Sequence, residues 1–286
     1  MLGYHKRVGD VSRPDLAILI KVMVALMVRF DRLWLVGGDG PSQEKVLFPA
    51  LFAISTYTGG LRGEETPLMD LHATAKHYQE GINHPKHTHV VMALRGRFIN
   101  EVGELEHLKP LAVETKLGLK VGIWFKRMLS WYEARGVTRG PVFWDSRGNR
   151  AQPGCFELAI LTELDWLQKL TDGLISPNVD VFEDFGVSRL FWQGSCSQAV
   201  DMGVSQPSID LNNRWRSDEG AKGKKDGSLH GHPSGDWQVF GVFGGVVTGG
   251  GLDTLCFVLE TPLREVMGTG GWQAIGMQDS GSSANI

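Results

Sequence analysis

The segment at residues 58–71 constrains the architecture of this chain more than any other stretch of the sequence. It follows the apolar run 46–54, which is typical of a helix, and it begins with Thr58 and a pair of glycines. One arginine, Arg62, stands just past the glycine pair, and an acid follows three residues later. This layout can direct a guanidinium into a cleft from the start of a helix. An enzyme that cleaves phosphate esters would also need further cations and a nucleophile farther along the chain.

The composition is that of a globular protein with unevenly distributed charge. Of the 286 residues, 42% are hydrophobic and 21% are charged, which is ordinary for a chain that buries a core. The net charge of −3 does not favour a general nucleic-acid binder. However, residues 76–150 carry 13 Lys and Arg against 7 Asp and Glu, whereas residues 151–219 carry 4 against 11. The basic part predicts either a phosphate-facing surface or a mixed solvated one, and charge alone leaves both open.

The cysteines and the N-terminal region indicate the expected compartment. Cys155, Cys196 and Cys256 are far apart and lack metal-ligand spacing, so neither a disulfide framework nor a zinc ribbon is predicted. An intracellular, reducing setting is expected, and the nucleus if the source is eukaryotic. No signal-peptide pattern is present, and the apolar run 16–28 is too short to span a bilayer. We therefore expect no membrane partner, and no motif indicates a cofactor.

Hydrophobic periodicity predicts a mainly helical α+β chain with one small β-hairpin. The amphipathic segment 118–134 is the clearest helix, and the runs 88–99 and 106–113 are predicted to be paired strands joined by a turn at Gly103. The histidine-rich stretch 72–89 is predicted to be a loop. Further helices are predicted at residues 15–35, 43–56, 157–170, 191–202 and 206–216.

Composition divides the sequence into three parts. Residues 1–44 are interpreted as an N-terminal helical segment, and residues 45–217 as the main domain. The character changes at residue 218, because residues 220–286 hold 16 of the 37 glycines and show no sustained helical or strand period. Residues 218–286 are therefore predicted to form a glycine-rich, irregular and poorly ordered tail.

Residues 58–71 resemble the first active-site box of the tyrosine recombinase, or phage integrase-like, family. That box contains a threonine–glycine pair, an arginine, an acid, a leucine and an aspartate at characteristic intervals. The matching residues here are Thr58, Arg62, Glu65, Leu68 and Asp70. The predicted hairpin follows where this family has its small sheet. The resemblance therefore implies a recombinase-like catalytic domain.

Two later segments resemble further boxes of the same family. Residues 191–204 are similar to the second box, and the match places Trp192 in its arginine position and Arg189 in its histidine position. Residues 211–216 fit the next box, with Trp215 at the position that supports the phosphate. The Asn-Asn-Arg-Trp-Arg run is especially similar to recombinase-like proteins of crypton-type mobile elements.

The resemblance implies chemistry at one phosphodiester of double-stranded DNA. In this family a tyrosine attacks the phosphorus and leaves a covalent 3′-phosphotyrosyl link, so that strands are broken and rejoined without a metal. Two arginines hold the non-bridging oxygens, and a lysine of the hairpin protonates the leaving oxygen. The resemblance covers residues 15–217 and makes residues 1–44 look like the remnant of a DNA-gripping domain. The implied setting is DNA recombination or integration by a mobile element, with homo-oligomers on DNA left open.

This chain lacks several of the groups that such chemistry needs. Arg62 matches the first clamp, but Trp192 stands in the second clamp position, no tyrosine follows Tyr132, and the hairpin lysine has no clear match. Losing one clamp donor costs about 10²–10³ in rate, and losing the nucleophile removes the covalent route. The prediction is a DNA-binding protein with a recombinase-like fold that is catalytically impaired. The residues predicted for the catalytic site are Arg62, Glu65, Arg189 and Trp215, and those predicted to contact DNA are Lys86, Arg95, Arg97, Lys109, Arg214 and Arg216.

The sequence leaves several alternatives open. Arg62 could pair with Glu65 across one helical turn in a purely structural role. The histidines of residues 72–89 could bind zinc in a non-enzymatic interaction or metal-binding protein, although a solvated or DNA-facing loop is favoured. Arg95 and Arg97 would share one face of a strand, where they either follow phosphates or form an exposed charged hairpin. An active recombinase with a nucleophile from another chain, or a truncated copy, are further alternatives.

Overall fold

The computed structural model describes residues 16–37, 41–82, 89–95, 106–115, 118–171, 173–202 and 204. Within them the chain forms seven α-helices, one short 3-10 turn (Thr66–Leu68) and a two-stranded antiparallel sheet. The helices are α1 (Ile20–Val36), α2 (Pro41–Gly59), α3 (Leu71–Ile82), α4 (Val121–Glu133), α5 (Gly154–Leu170), α6 (Val181–Asp184) and α7 (Val187–Asp201), and the strands are β1 (His89–Arg95) and β2 (Glu106–Ala112). The prediction of a mainly helical α+β chain with one small sheet is confirmed. The helix predicted at 206–216 and the tail predicted at 218–286 lie outside the described residues.

Helix α2 is the centre of the molecule. Its residues 47–59 are buried on every side, and it packs against α1, α4, α5 and α7. A helix that is apolar all round belongs in a core, because it has no polar face to present to water. Phe52 lies in its middle, with the rings of Phe143, Phe156 and Phe191 at centroid distances of 6.2, 4.9 and 6.3 Å. These ring pairs hold the loop after α4, the start of α5 and the middle of α7 around one helix.

Helix α1 begins later than predicted because residues 16–19 run extended against α7. The backbone N–H of Ile18 donates to the carbonyl of Leu190 at 3.2 Å. Gly194 permits this approach, since a Cβ there would lie 2.3 Å from the carbonyl oxygen of Ile18. The buried face of α1 then joins the same core as α2, α5 and α7. The predicted boundary between residues 44 and 45 falls inside α2, so the described part of the N-terminal segment shares one core with the main domain.

The two strands pair as the sequence predicts. They form an antiparallel hairpin in which Arg95 lies opposite Glu106. An isolated bridge between Met69 and Leu94 attaches the end of the 58–71 segment to β1. The hairpin therefore positions the segment that carries the candidate site.

The prediction of a loop at residues 72–89 is wrong for its first part, which is helix α3. Asp70 starts this helix, because its Oδ1 accepts a hydrogen bond from the backbone N–H of Ala73 at 2.9 Å. The buried residues Leu71, Thr74 and Tyr78 follow at helical spacing. His72 is exposed on the same helix. The histidine content of the stretch was thus no indication of irregular backbone.

The remaining helices lie close to the predicted ones. Helices α4 and α5 match the segments 118–134 and 157–170 to within three residues at each end. Helix α7 begins at Val187, four residues before the predicted start, and Gly186 precedes it in extended conformation. Across the described ranges, none of the helices combines the length and the apolar content that crossing a bilayer requires.

Candidate functional site

The candidate site begins where α2 ends in a Schellman motif. The N–H of Leu61 donates to the carbonyl of Thr56 at 3.0 Å, and the N–H of Gly60 donates to Tyr57 at 3.2 Å. Gly60 has φ of 59°, a left-handed conformation that glycine adopts without steric cost. Leu61 turns inward and is completely buried. The chain therefore leaves α2 in a fixed direction, and the next side chain, Arg62, is exposed.

Glu65 supports the backbone of this turn. Its Oε2 accepts a hydrogen bond from the backbone N–H of Arg62 at 3.0 Å, and its own N–H donates to the Arg62 carbonyl at 2.9 Å. The hydrogen bond between the two residues thus runs through the backbone of Arg62 rather than through its guanidinium. Glu65 can hold the turn in shape while the arginine side chain points elsewhere.

A close contact fixes the Arg62 turn against the start of α7. The N–H of Gly63 donates to the carbonyl of Ser188 at 2.9 Å, and a Cβ on Gly63 would lie only 2.7 Å from the Ser188 Cα. Only glycine allows two backbones to approach so closely. The guanidinium of Arg62 then lies 5.8 Å from the ring centroid of Trp192, within the range of a cation–π contact. Residues of the first and second boxes, far apart in sequence, are therefore neighbours in space.

Arg189 lies on the same helix as Trp192, three residues earlier. Residues at this spacing share a face of an α-helix, so Arg189 is exposed on the side of α7 that carries Trp192. The structure thus places three of the residues singled out from the sequence, Arg62, Arg189 and Trp192, around one end of α7. Whether they bind a phosphate is a prediction that geometry alone does not test.

Acidic side chains lie beside this group. A cavity of about 410 Å³ adjoins the Arg62 turn, between the starts of α5 and α7. Its lining residues are Glu64, Gln152, Pro153, Gly154, Glu157, Val187 and Ser188. The carboxylates of Glu64 and Glu157 both belong to exposed residues. Their negative charges repel an anion inside the cavity, so a phosphate would have to bind on the side of the turn where Arg62 lies.

Asp70 and Arg95 connect the far end of the segment to the hairpin. The Arg95 Nη1 lies 3.5 Å from the Asp70 Oδ2, in an ion pair whose aspartate side chain is 11% exposed. The same carboxylate begins α3, as described above. Arg95 is 37% exposed at its side chain and stands at the end of β1. Its guanidinium therefore has a structural partner and still reaches the surface.

The position of Lys109 does not support its predicted contact with DNA. This residue lies in β2 opposite Met92 and is only 4% exposed. A side chain with so little exposed surface offers its ammonium to no phosphate on the outside of the sheet. The remaining residues predicted to touch DNA or phosphate lie outside the described ranges. They are Lys86, Arg97, Arg214, Trp215 and Arg216.

The described tyrosines are buried and give no accessible nucleophile. Tyr57, Tyr78 and Tyr132 are 1%, 6% and 2% exposed. Burial raises the pKa of each hydroxyl above its ordinary value of 10.0, which disfavours the phenolate that attacks phosphorus. The hydroxyl of Tyr132 is also engaged, since it donates to the carbonyl of Val142 and accepts from the Trp144 indole.

The histidine alternative finds no metal centre among the described residues. No group of three or more histidine, cysteine, aspartate and glutamate side chains is close enough there to hold a metal ion. His84 and His87 lie outside the described ranges, so the prediction for the 72–89 histidines stays a prediction.

Two positioning residues were not recognised from the sequence. Gly63 and Ser188 join the Arg62 turn to α7, although they are 125 positions apart. The glycine was visible directly after Arg62, but its partner could be found only from the fold.

Comparisons of the chain with protein-family models, with curated proteins and with solved structures found no match.

Proposed function

We propose that this chain is a DNA-binding protein of the tyrosine recombinase type that has lost the ability to cleave DNA. The observation that carries the proposal is the contact between Arg62 and Trp192, at 5.8 Å, across 130 positions of sequence. The two residues occupy the positions of the two clamp arginines in the resemblance. Their adjacency is what a recombinase-like arrangement requires, and an unrelated fold would bring them together only by coincidence.

The chemistry of the pair favours binding over catalysis. One exposed guanidinium can donate two parallel hydrogen bonds to a phosphate, which suffices to hold a DNA backbone. An indole in the second position carries no charge, so the extra charge of a phosphorane-like transition state has one cation instead of two. Loss of one such donor costs about 10²–10³ in rate. The described tyrosines are buried and offer no attacking hydroxyl, so none of them supplies the covalent step. Tyr4 lies outside the described residues.

Duplex binding at several salt concentrations tests the DNA claim. We expect a linear fall of the logarithm of affinity with the logarithm of salt concentration, because bound phosphates release counterions. Arg62→Gln should make that slope less negative by about 0.9, the value for one phosphate contact. Arg32→Gln is the control, because Arg32 is also exposed and stands near the C-terminal end of α1, about 18 Å along the helix axis from Ile20. Wild-type protein with no affinity for duplex, or none that depends on salt, would refute the proposal.

A trapping experiment tests the loss of cleavage. A nicked suicide duplex captures any covalent protein–DNA intermediate, because the released strand cannot attack in reverse. We expect no covalent product on denaturing electrophoresis at protein concentrations that saturate binding. A covalent adduct would show that a nucleophile is supplied after all, from another part of the chain or another copy. It would leave the DNA-binding claim intact.

A further inference from the structure

A loop closed by its own hydrogen bonds carries exposed arginines that have no ion-pair partner among the described residues. The Asp145 loop comprises residues 145–150, in the connection between α4 and α5. Asp145 Oδ1 accepts hydrogen bonds from the N–H groups of Arg147 and Asn149, both at 2.8 Å. The Asp145 N–H donates back to the Asn149 carbonyl at 2.8 Å, and Gly148 has φ of 77°. The loop is thus closed by its own hydrogen bonds and holds its shape without a partner.

The carboxylate of Asp145 is engaged by backbone N–H groups of the loop, whereas the arginines of the loop face solvent. Arg147 and Arg150 are exposed, and so is Arg139, which precedes the loop. Among the described residues, no carboxylate lies within ion-pair distance of these three guanidinium groups. The charge of Arg147 also acts on the nearby Asp145 carboxylate, whereas an arginine with no carboxylate close by keeps its full attraction for an external anion.

The backbone anchors both ends of this region to the segment that carries Arg62. Before the loop, the N–H of Val142 donates to the carbonyl of Met69 at 2.9 Å. After the loop, Gln152 lines the same cavity as Glu64. One residue, Ala151, separates Arg150 from Gln152, so their Cα atoms are at most about 7 Å apart. The loop therefore ends close to the cavity that adjoins the Arg62 turn.

We propose that Arg139, Arg147 and Arg150 form a second phosphate-contacting surface for the backbone of duplex DNA, beside the phosphate held at Arg62. This inference rests on the proposed function and extends it to residues that the sequence did not single out. Ordering the loop costs little on binding, because its hydrogen bonds already fix it. Phosphate contacts of this kind position a protein on DNA and read no sequence.

The chemistry of the region favours a duplex over a membrane or a single strand. A membrane surface would call for exposed apolar side chains as well as cations. The large apolar side chains that are exposed in the described ranges all lie elsewhere, none of them within residues 134–154. A single strand would call for an exposed aromatic platform. The one ring next to the loop, Trp144, is partly buried and donates its Nε1 hydrogen to Tyr132.

The test uses the full chain with both loop arginines neutralised, as Arg147→Gln with Arg150→Gln. Loss of two phosphate contacts should make the salt slope of duplex binding less negative by about 1.8. Over a fourfold rise in salt concentration, the variant should therefore lose about twelvefold less affinity than the wild type. Arg147→Lys with Arg150→Lys keeps the charges and should retain the wild-type slope. Circular dichroism and the urea midpoint should be unchanged in both variants, since the side chains are exposed.

The outcomes separate the two proposals. Wild-type protein that does not bind duplex refutes the proposed function itself. Wild-type protein that binds, together with a glutamine variant whose slope equals that of Arg32→Gln or of the wild type, refutes the loop surface and leaves the function standing. Binding of wild type to phosphatidylserine vesicles that the glutamine variant loses, with duplex binding unchanged, would assign the loop to a membrane surface and also overturn the inference.

Discussion

Gly63→Ala provides the sharpest test of how the Arg62 turn is held. The added Cβ would lie 2.7 Å from the Cα of Ser188 and 2.8 Å from its carbonyl oxygen, and both are backbone atoms of a helix that cannot rotate away. Ordinary contacts between carbon atoms lie at about 3.5–4.0 Å, so the turn must move outward by about 1 Å. The hydrogen bond from the Gly63 N–H to Ser188, now 2.9 Å, would then be lost.

The expected cost follows from three terms. Overpacking of this kind costs about 1–3 kcal/mol, and the lost hydrogen bond adds about 0.5–1.5 kcal/mol. The smaller chain entropy of unfolded alanine returns about 0.4–1 kcal/mol. The net loss in the free energy of unfolding is therefore about 0.5–4 kcal/mol. For a denaturant dependence of about 2 kcal/mol per molar urea, the midpoint should fall by about 0.3–2 M.

Urea unfolding followed by circular dichroism measures this change, and Gly154→Ala is the matched control. Gly154 lines the same cavity, but the nearest atom to its added Cβ is the Glu157 Oε2 at 4.0 Å. Alanine there should be neutral or slightly stabilising, because it stands in the first turn of α5. If the two alanine variants unfold at the same urea concentration, the close contact between Gly63 and Ser188 does not exist in solution.

Two further predictions concern charge. Replacing Glu64 and Glu157 by glutamine removes two carboxylates beside the proposed phosphate. Each replacement should strengthen duplex binding about two- to fivefold, since a charge pair at 4 Å in water is worth about 1 kcal/mol. Weaker or equal binding at fixed salt would contradict a phosphate on this side. The pKa of Asp145 is lowered below its ordinary value of 3.8, first by the hydrogen bond from the Asn149 backbone. Desolvation opposes this effect, and the Arg147 backbone hydrogen bond and the Arg147 charge lower the pKa further. Because the pKa is lowered on folding, the contribution of Asp145 is complete above pH 3.8 and disappears as the pH falls through the lowered value. The amide chemical shifts of residues 147 and 149 should titrate with a midpoint below 3.8, and a midpoint at or above it would contradict the loop geometry.

The sequence predicted the elements whose burial is periodic. Helix α4 was visible because its apolar residues form a stripe, and its buried residues include Val121, Trp124, Phe125 and Met128. The first strand was visible for another reason, as a short apolar run that is buried along nearly its whole length. Periodicity reports which face of an element is buried, and it does so from local sequence alone.

Features that depend on distant partners could not be predicted in this way. Residues 16–19 were assigned to a helix by their apolar character, yet they lie extended because Gly194 leaves room for Ile18. The contact of Arg62 with Trp192 appears only in the fold, because the resemblance placed Trp192 in a clamp position without predicting that contact. The hydrogen bond from Gly63 to Ser188 had no counterpart in the sequence patterns. Helix α3 differs for another reason: its histidine-rich composition is typical of a loop, but the capping Asp70 that precedes it starts a helix.

The enclosure of α2 has a practical consequence for shortened versions of this protein. A fragment that starts at residue 45 would remove the first turn of α2 and the whole of α1, which covers one side of it. Loss of α1 would uncover buried apolar residues of the core and leave Glu163 and Arg127 without their ion-pair partners Arg29 and Asp31. Such a fragment should aggregate when expressed, whereas one that starts at residue 16 keeps α1 packed against α2.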